Sequence, residues 1–99
     1  MLLGNTTELM NFEKINKATV YKDDKQQVLL LNLPAGAEMK PHRSPVDAFV
    51  VVERGEVEFV LEGELFLLKQ GDLFRFKANQ VHSLKALSDF SMLIVKQFL

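Results

Sequence analysis

The sequence predicts an all-β domain, a sandwich or barrel, and three observations carry that prediction. Short β-rich runs follow one another from residue 27 onward, with turn residues at close spacing between them. No segment with helical periodicity extends beyond the first dozen or so residues. Hydrophobic residues make up 47% of 99 residues, enough to fill one core and too few residues for two domains.

The elements read as follows. In residues 5–14, Asn5 followed by Glu8 resembles a capping box, and Leu9, Met10 and Phe12 offer a small apolar surface. A short helix and an irregular arm packed on a barrel or a second subunit fit equally. Residues 1–26 are taken as this arm plus a first strand, and residues 27–99 as the barrel, all one domain. Asp23, Asp24 and Lys25 form a polar turn. Gln27–Leu33 is an apolar strand stopped by Pro34, with Pro34–Gly36 as a turn. Glu38–His42 is short and extended, because Pro41 keeps Lys40 out of the helical region.

Val46–Glu53 is apolar on both faces at Phe49–Val52, so both faces should be covered. Arg54–Gly55 turns. Glu56–Leu61 alternates, with Val57, Phe59 and Leu61 on one face. Glu62–Glu64 is a tight hairpin turn, Leu65–Leu68 a strand, and Gln70–Asp72 another turn. Leu73–Phe76 precedes a polar loop at Lys77–Gln80. Val81–Leu87 and Phe90–Phe98 close the chain, giving eight strands after residue 26.

Composition narrows the function classes. Net charge is −1, and the 12 basic residues are scattered, so no nucleic-acid face is expected. There is no cysteine, which removes disulfides and thiolate chemistry and suits a reducing compartment. Met1–Glu8 lacks the basic and apolar regions of a signal peptide, and no run approaches the roughly 20 apolar residues of a membrane span. The expectation is a cytoplasmic protein without membrane or nucleic-acid partners.

The two histidines, His42 and His82, both stand near turns at strand ends. Gly36 is followed by five residues and His42, then Ser44, Ala48 and Gly55 at further intervals. This resembles the first motif of the cupin family, G-x5-H-x-H-x3-E-x6-G, with Ser44 at the second histidine and Ala48 at the glutamate. Gly71, Lys77, Asn79, His82 and Ala86 resemble the second motif, G-x5-P-x-G-x2-H-x3-N, in which Gly71 and His82 match. Asn79 at a glycine position tolerates the left-handed conformation. The resemblance spans roughly residues 28–97, similar to small single-domain bacterial cupins, and implies a cupin-like double-stranded β-helix, or jelly-roll barrel.

That resemblance implies a site. Metal-dependent cupins place three histidines and a glutamate around a divalent ion, and only His42 and His82 remain of those four. They are the candidate metal ligands, for one divalent transition metal (Zn, Ni, Fe or Mn) or for none. A catalytic metal ordinarily takes three protein ligands. Asp47 is the one carboxylate that could complete the set: strand alternation points it away from the Ala48 side, and a bulge near Pro45 would turn it back. The candidate ligand-binding set is His42, Ser44, Ala48 and His82, with no catalytic residue assigned.

Plainer readings stand beside these. Either histidine can be a hydrogen-bonded core residue, and Ser44 and Ala48 can simply keep the barrel mouth open. Phe49, Phe59, Phe74 and Phe76 read as core and interface packing, and Glu56, Glu58 and Glu62 as a solvated face. Arg43, Arg75, Lys77 and Lys85 are positioned to neutralise an anionic ligand, although exposed charges seldom do so. Apolar outward positions on Val46–Glu53 (Phe49, Val51) and on Ser91–Phe98 imply a homodimer, with sheets packed together or arms exchanged.

Three functional readings follow. The leading one is a barrel that holds a small molecule, metal-free or weakly metal-binding through its two histidines. The others are a metal-dependent enzyme of oxygenase or isomerase type and an interaction module with a vestigial pocket.

Overall fold

Turn residues with left-handed backbone punctuate the chain, and between them every long segment is strand. A computed structural model describes residues 1–98. Nine strands run in order: β1 (Asn16–Lys22), β2 (Gln26–Leu33), β3 (Glu38–His42), β4 (Asp47–Arg54), β5 (Glu56–Leu61), β6 (Glu64–Lys69), β7 (Leu73–Phe76), β8 (His82–Ala86) and β9 (Phe90–Gln97). They form two antiparallel sheets that face each other as a jelly-roll barrel. One has the order β1-β2-β9-β4-β7 and the other β3-β8-β5-β6.

The eight expected strands are present with ends shifted by a residue or two, and β1 joins them at a sheet edge. Glu62 (φ 49°) and Gly63 (φ 81°) make the β5–β6 hairpin turn, a type that needs positive φ at both central residues. Asn79 takes φ 67°, the conformation expected of it. Gly55 (φ 78°) has no room for a side chain, since a Cβ there would collide with the carbonyl oxygen of Asp89.

Alternation sorts the five-stranded sheet into two faces. Leu29, Leu31, Leu33, Ala48, Val50, Val52, Phe90, Met92 and Ile94 point inward and are buried. They meet Val57, Phe59, Leu68, Leu84 and Ala86 from the opposite sheet. The outer face has three rows. Asn16, Asn32 and Ser91 form a polar row, in which the Ser91 hydroxyl donates to Asn32 Oδ1 (2.7 Å) and Asn32 Nδ2 to Asn16 Oδ1 (3.0 Å). Leu30, Leu93, Val51 and Leu73 form the next, and Val28, Val95 and Phe49 the third.

The N-terminal segment settles as an arm. It holds only a 3-10 turn, Thr7–Leu9, in place of a regular helix. Asn5 Oδ1 accepts the amides of Thr7 (2.9 Å) and Glu8 (3.3 Å), so the capping residue works as expected. The arm lies over the polar row of its own barrel. Asn32 Nδ2 donates to the Leu9 carbonyl (2.9 Å), and the Arg54 guanidinium sits over the Phe12 ring. Among the described residues no helix is long and apolar enough to cross a membrane.

Candidate functional site

A break in the alternation of β3 creates the site. Met39 faces inward opposite Leu84, so strict alternation would turn Pro41 inward and His42 outward. The register slips between Met39 and His42, and His42 comes to stand directly across from His82 at the start of β8. Pro41, with no N–H to give the ladder, sits inside the irregularity. The two rings meet edge to face with centroids 4.2 Å apart. Histidines forty residues apart in sequence thus become one pair.

Each ring is oriented by its own backbone. His42 Nδ1–H donates to the Lys40 carbonyl (2.9 Å) and His82 Nδ1–H to the Gln80 carbonyl (3.0 Å). In the neutral tautomer this leaves both Nε2 atoms as acceptors. His42 is exposed and His82 is buried, its ring parallel to Phe59 (5.8 Å) and tilted on Phe76 (4.4 Å). Burial holds the His82 imidazole below the usual histidine range, against the Gln80 hydrogen bond. The charges of His42, Lys96 and Lys17 push the same way as burial.

The pair opens on a cavity of about 210 Å³ between the β1–β2–β9 side of one sheet and the β3–β8 side of the other. Its inner wall is apolar, made by Leu31, Met39, Phe76, Leu84, Met92 and Ile94. Its polar groups are the two histidines, Ser44, Lys17, Arg43 and Lys96. The Ser44 hydroxyl is buried and has no hydrogen-bond partner among the described residues. A buried hydroxyl on a cavity wall can donate to, or accept from, a ligand atom placed there.

Three of the four expected ligand-binding residues therefore share one cavity: His42, Ser44 and His82. Ala48 faces inward and is buried in the core, paired across the ladder with Phe76 and Lys96, which line the cavity. Asp47 faces outward, where its carboxylate accepts the Ala78 amide (2.8 Å). Phe76 adds cavity lining to the packing role expected of it, whereas Phe49 is exposed on the outer face.

The cations are redistributed. Of the four named from sequence, Arg43 lines the cavity, and its Nη1 donates to the Asn79 carbonyl (3.1 Å). Arg75 lies over the Phe49 ring on the outer face, and Lys85 pairs with Glu38 at 3.8 Å. Lys17 and Lys96 line the cavity instead. Lys96 follows Met92 and Ile94 at two-residue spacing, so it shares their inward face, and Lys17 lies opposite inward-facing Leu31. That parity is the signal that marks them in the sequence.

The donor set fits a divalent metal poorly. Among the described residues no group of three or more His, Cys, Asp or Glu side chains is placed to hold one. Two imidazoles flanked by two lysines and an arginine, with no acidic side chain in the lining among the described residues, give neither three ligands nor compensating charge.

Comparison with known proteins agrees with this architecture. A family model described as Cupin domain matches residues 29–96. The chain therefore belongs to the cupin domain family. No curated protein matches it. Similar solved structures include a conserved Streptococcus pyogenes protein of unknown function, with TM-score 0.87 and 24% identity over 99% of this chain and 88% of that one. An RmlC-like cupin from Desulfovibrio desulfuricans gives TM-score 0.87 and 22% identity over 98% and 96%. KdgF from a Halomonas species gives 0.79 and 26% over 84% and 77%.

Proposed function

We propose that this small cupin barrel holds a small organic molecule between its sheets without a resident metal. The buried, unpartnered Ser44 hydroxyl beside two imidazoles whose Nε2 atoms are free carries this reading. The apolar wall supplies burial for the ligand body, and the three side chains supply orientation, the usual division of labour in a binding pocket. A cavity of about 150 Å³ accommodates benzene, so the cavity here suits a ligand of about that size or slightly larger.

Two measurements test it. Tag-free protein should contain far less than stoichiometric transition metal by mass spectrometry. Stoichiometric metal that disappears in the His42→Ala/His82→Ala variant would instead establish the metal-dependent alternative. Phenol, which offers a hydroxyl to Nε2 and a ring to the wall, should shift the amide resonances of His42, Ser44 and His82 but not those near Phe90. No shift at millimolar phenol would point to a vestigial pocket.

We also propose a homodimer. Val51, Leu93, Val95 and Val28 are only half-buried on the outer sheet face, beside exposed Phe49 and Leu73. The arm covers the polar row; in the apolar rows Leu30 is buried, and Val28, Val51, Leu93 and Val95 stay partly open. Light scattering at micromolar concentration should return the dimer mass, and a monomer removes the proposal.

A further inference from the structure

Lysines rarely take inward-facing strand positions, and this barrel has two, Lys96 half-buried on β9 and Lys17 exposed on the edge strand β1. Lys96 occupies the position after Met92 and Ile94 on the inner face of β9, and Lys17 lies on the inner face of β1 opposite Leu31. Both line the His42/His82 cavity, and Arg43 joins them from the opposite sheet. Among the described residues no aspartate or glutamate lines that cavity, and the one ion pair within 4.0 Å is Lys85–Glu38, outside it.

Three cations thus line a largely apolar cavity, with no acidic side chain beside them among the described residues. Lys96 is half-buried, and burial followed by the charges of Lys17 and Lys22 holds its ammonium below the usual lysine range. Packing like charges beside a dry wall costs stability unless something negative completes the set.

We propose that the ligand of this cavity is an organic anion, a compact carboxylate, whose charged end meets Lys17, Lys96 and Arg43 while its apolar body lies on Leu31, Met92 and Ile94. This deepens the small-molecule reading and rests on it. The division of polar groups adds detail. The lysines and Arg43 are donors only, so they suit the carboxylate oxygens. Each imidazole, with Nδ1 engaged by a backbone carbonyl, turns Nε2 to the cavity, so the pair suits a hydroxyl or N–H elsewhere on the same molecule.

The test uses 3-hydroxybenzoate and its uncharged isostere 3-hydroxybenzamide, titrated into the full chain and followed by amide chemical shifts. The carboxylate should bind at least roughly tenfold more tightly than the amide, the scale of one charge-assisted contact. Raising salt from about 0.02 to 0.5 M should weaken the carboxylate and leave the amide unchanged. A Lys17→Met/Lys96→Met variant should bind the two compounds about equally, and Lys96→Gln alone should lose part of the preference. Lys85→Met, altered outside the cavity, should keep all of it.

Equal binding of acid and amide to the parent chain overturns the anion assignment and leaves the pocket reading standing. A carboxylate preference that is insensitive to salt, or that survives the double substitution undiminished, overturns the placement of the charged end at Lys17 and Lys96. Failure of both compounds and of phenol overturns the two readings together. The salt series needs no variant, so it decides even if the double substitution unfolds the barrel.

Discussion

One side of the barrel is filled and the other is hollow, although both are built from the same two sheets. Between β4–β7 and β5–β6, four phenylalanines interlock. Phe59 lies 4.7 Å from Phe74 and 5.9 Å from Phe76, and Phe66 lies 5.0 Å from Phe74. Between β1–β2–β9 and β3–β8, the corresponding space holds aliphatic walls, two histidines, an unpaired serine hydroxyl and the stems of two lysines. His82 stands at the boundary, backed by Phe59 and Phe76 and facing His42. The contrast separates two duties. Large aromatic rings make the filled half rigid enough to position His82, and small or polar side chains keep the other half open.

The contrast can be broken most forcefully from the filled side. Phe59→Ala removes the ring that takes part in three of the six aromatic contacts among the described residues and should cost about 3–5 kcal/mol in a urea titration. A loss under about 1 kcal/mol would mean that the filled half is not what holds the barrel together. On the hollow side, Ser44→His restores a third imidazole next to the His42/His82 pair. It should convert an indifferent response to zinc into a clear rise in melting temperature, with about 2–3 kcal/mol of stabilisation at zinc well above its Kd. An unchanged melting temperature in zinc would show that position 44 does not converge with the histidines.

The boundary itself should respond to pH. His82 is held below the usual histidine range in the fold, so the unfolded chain takes up its proton first as pH falls. Stability should be full above about pH 6.5, decline as pH falls below that value, and level off once the folded ring is protonated. His82→Gln should flatten this segment of a melting-temperature profile between about pH 7.5 and 5. A parent profile already flat there would show that His82 is not disfavoured as a cation. The smallest effect belongs to Ser44→Ala. Removing a hydroxyl that has no partner should change stability by about 0–1 kcal/mol in the favourable direction, measured by urea midpoint. A clear destabilisation would reveal a partner for that hydroxyl.

Much of this was legible before the fold was known. Turn residues bounded eight strands, and the motif spacings paired His42 with His82 and placed Ser44 beside them. Ala48 was legible as inward-facing, and its burial in the core follows from the strands paired on either side of it. Arg43 was legible as a cation at the mouth. Lys17 was hidden in a strand that polar composition made easy to pass over, and Lys96 in an apolar run with no single polar face.

Local chemistry determined the strand period, the turns and the residue types available at each motif position, because these depend only on neighbours along the chain. Which parity of β9 faces inward depended on the other sheet. Met92, Leu93, Ile94 and Val95 are all apolar, so alternation defines two faces without ranking them. Once Phe90, Met92 and Ile94 pack against the opposite sheet, Lys96 must follow them inside. The slip in β3 that turns His42 toward His82 likewise arises from pairing with β8. The paired histidines and the inward cations are products of register, which exists only between strands.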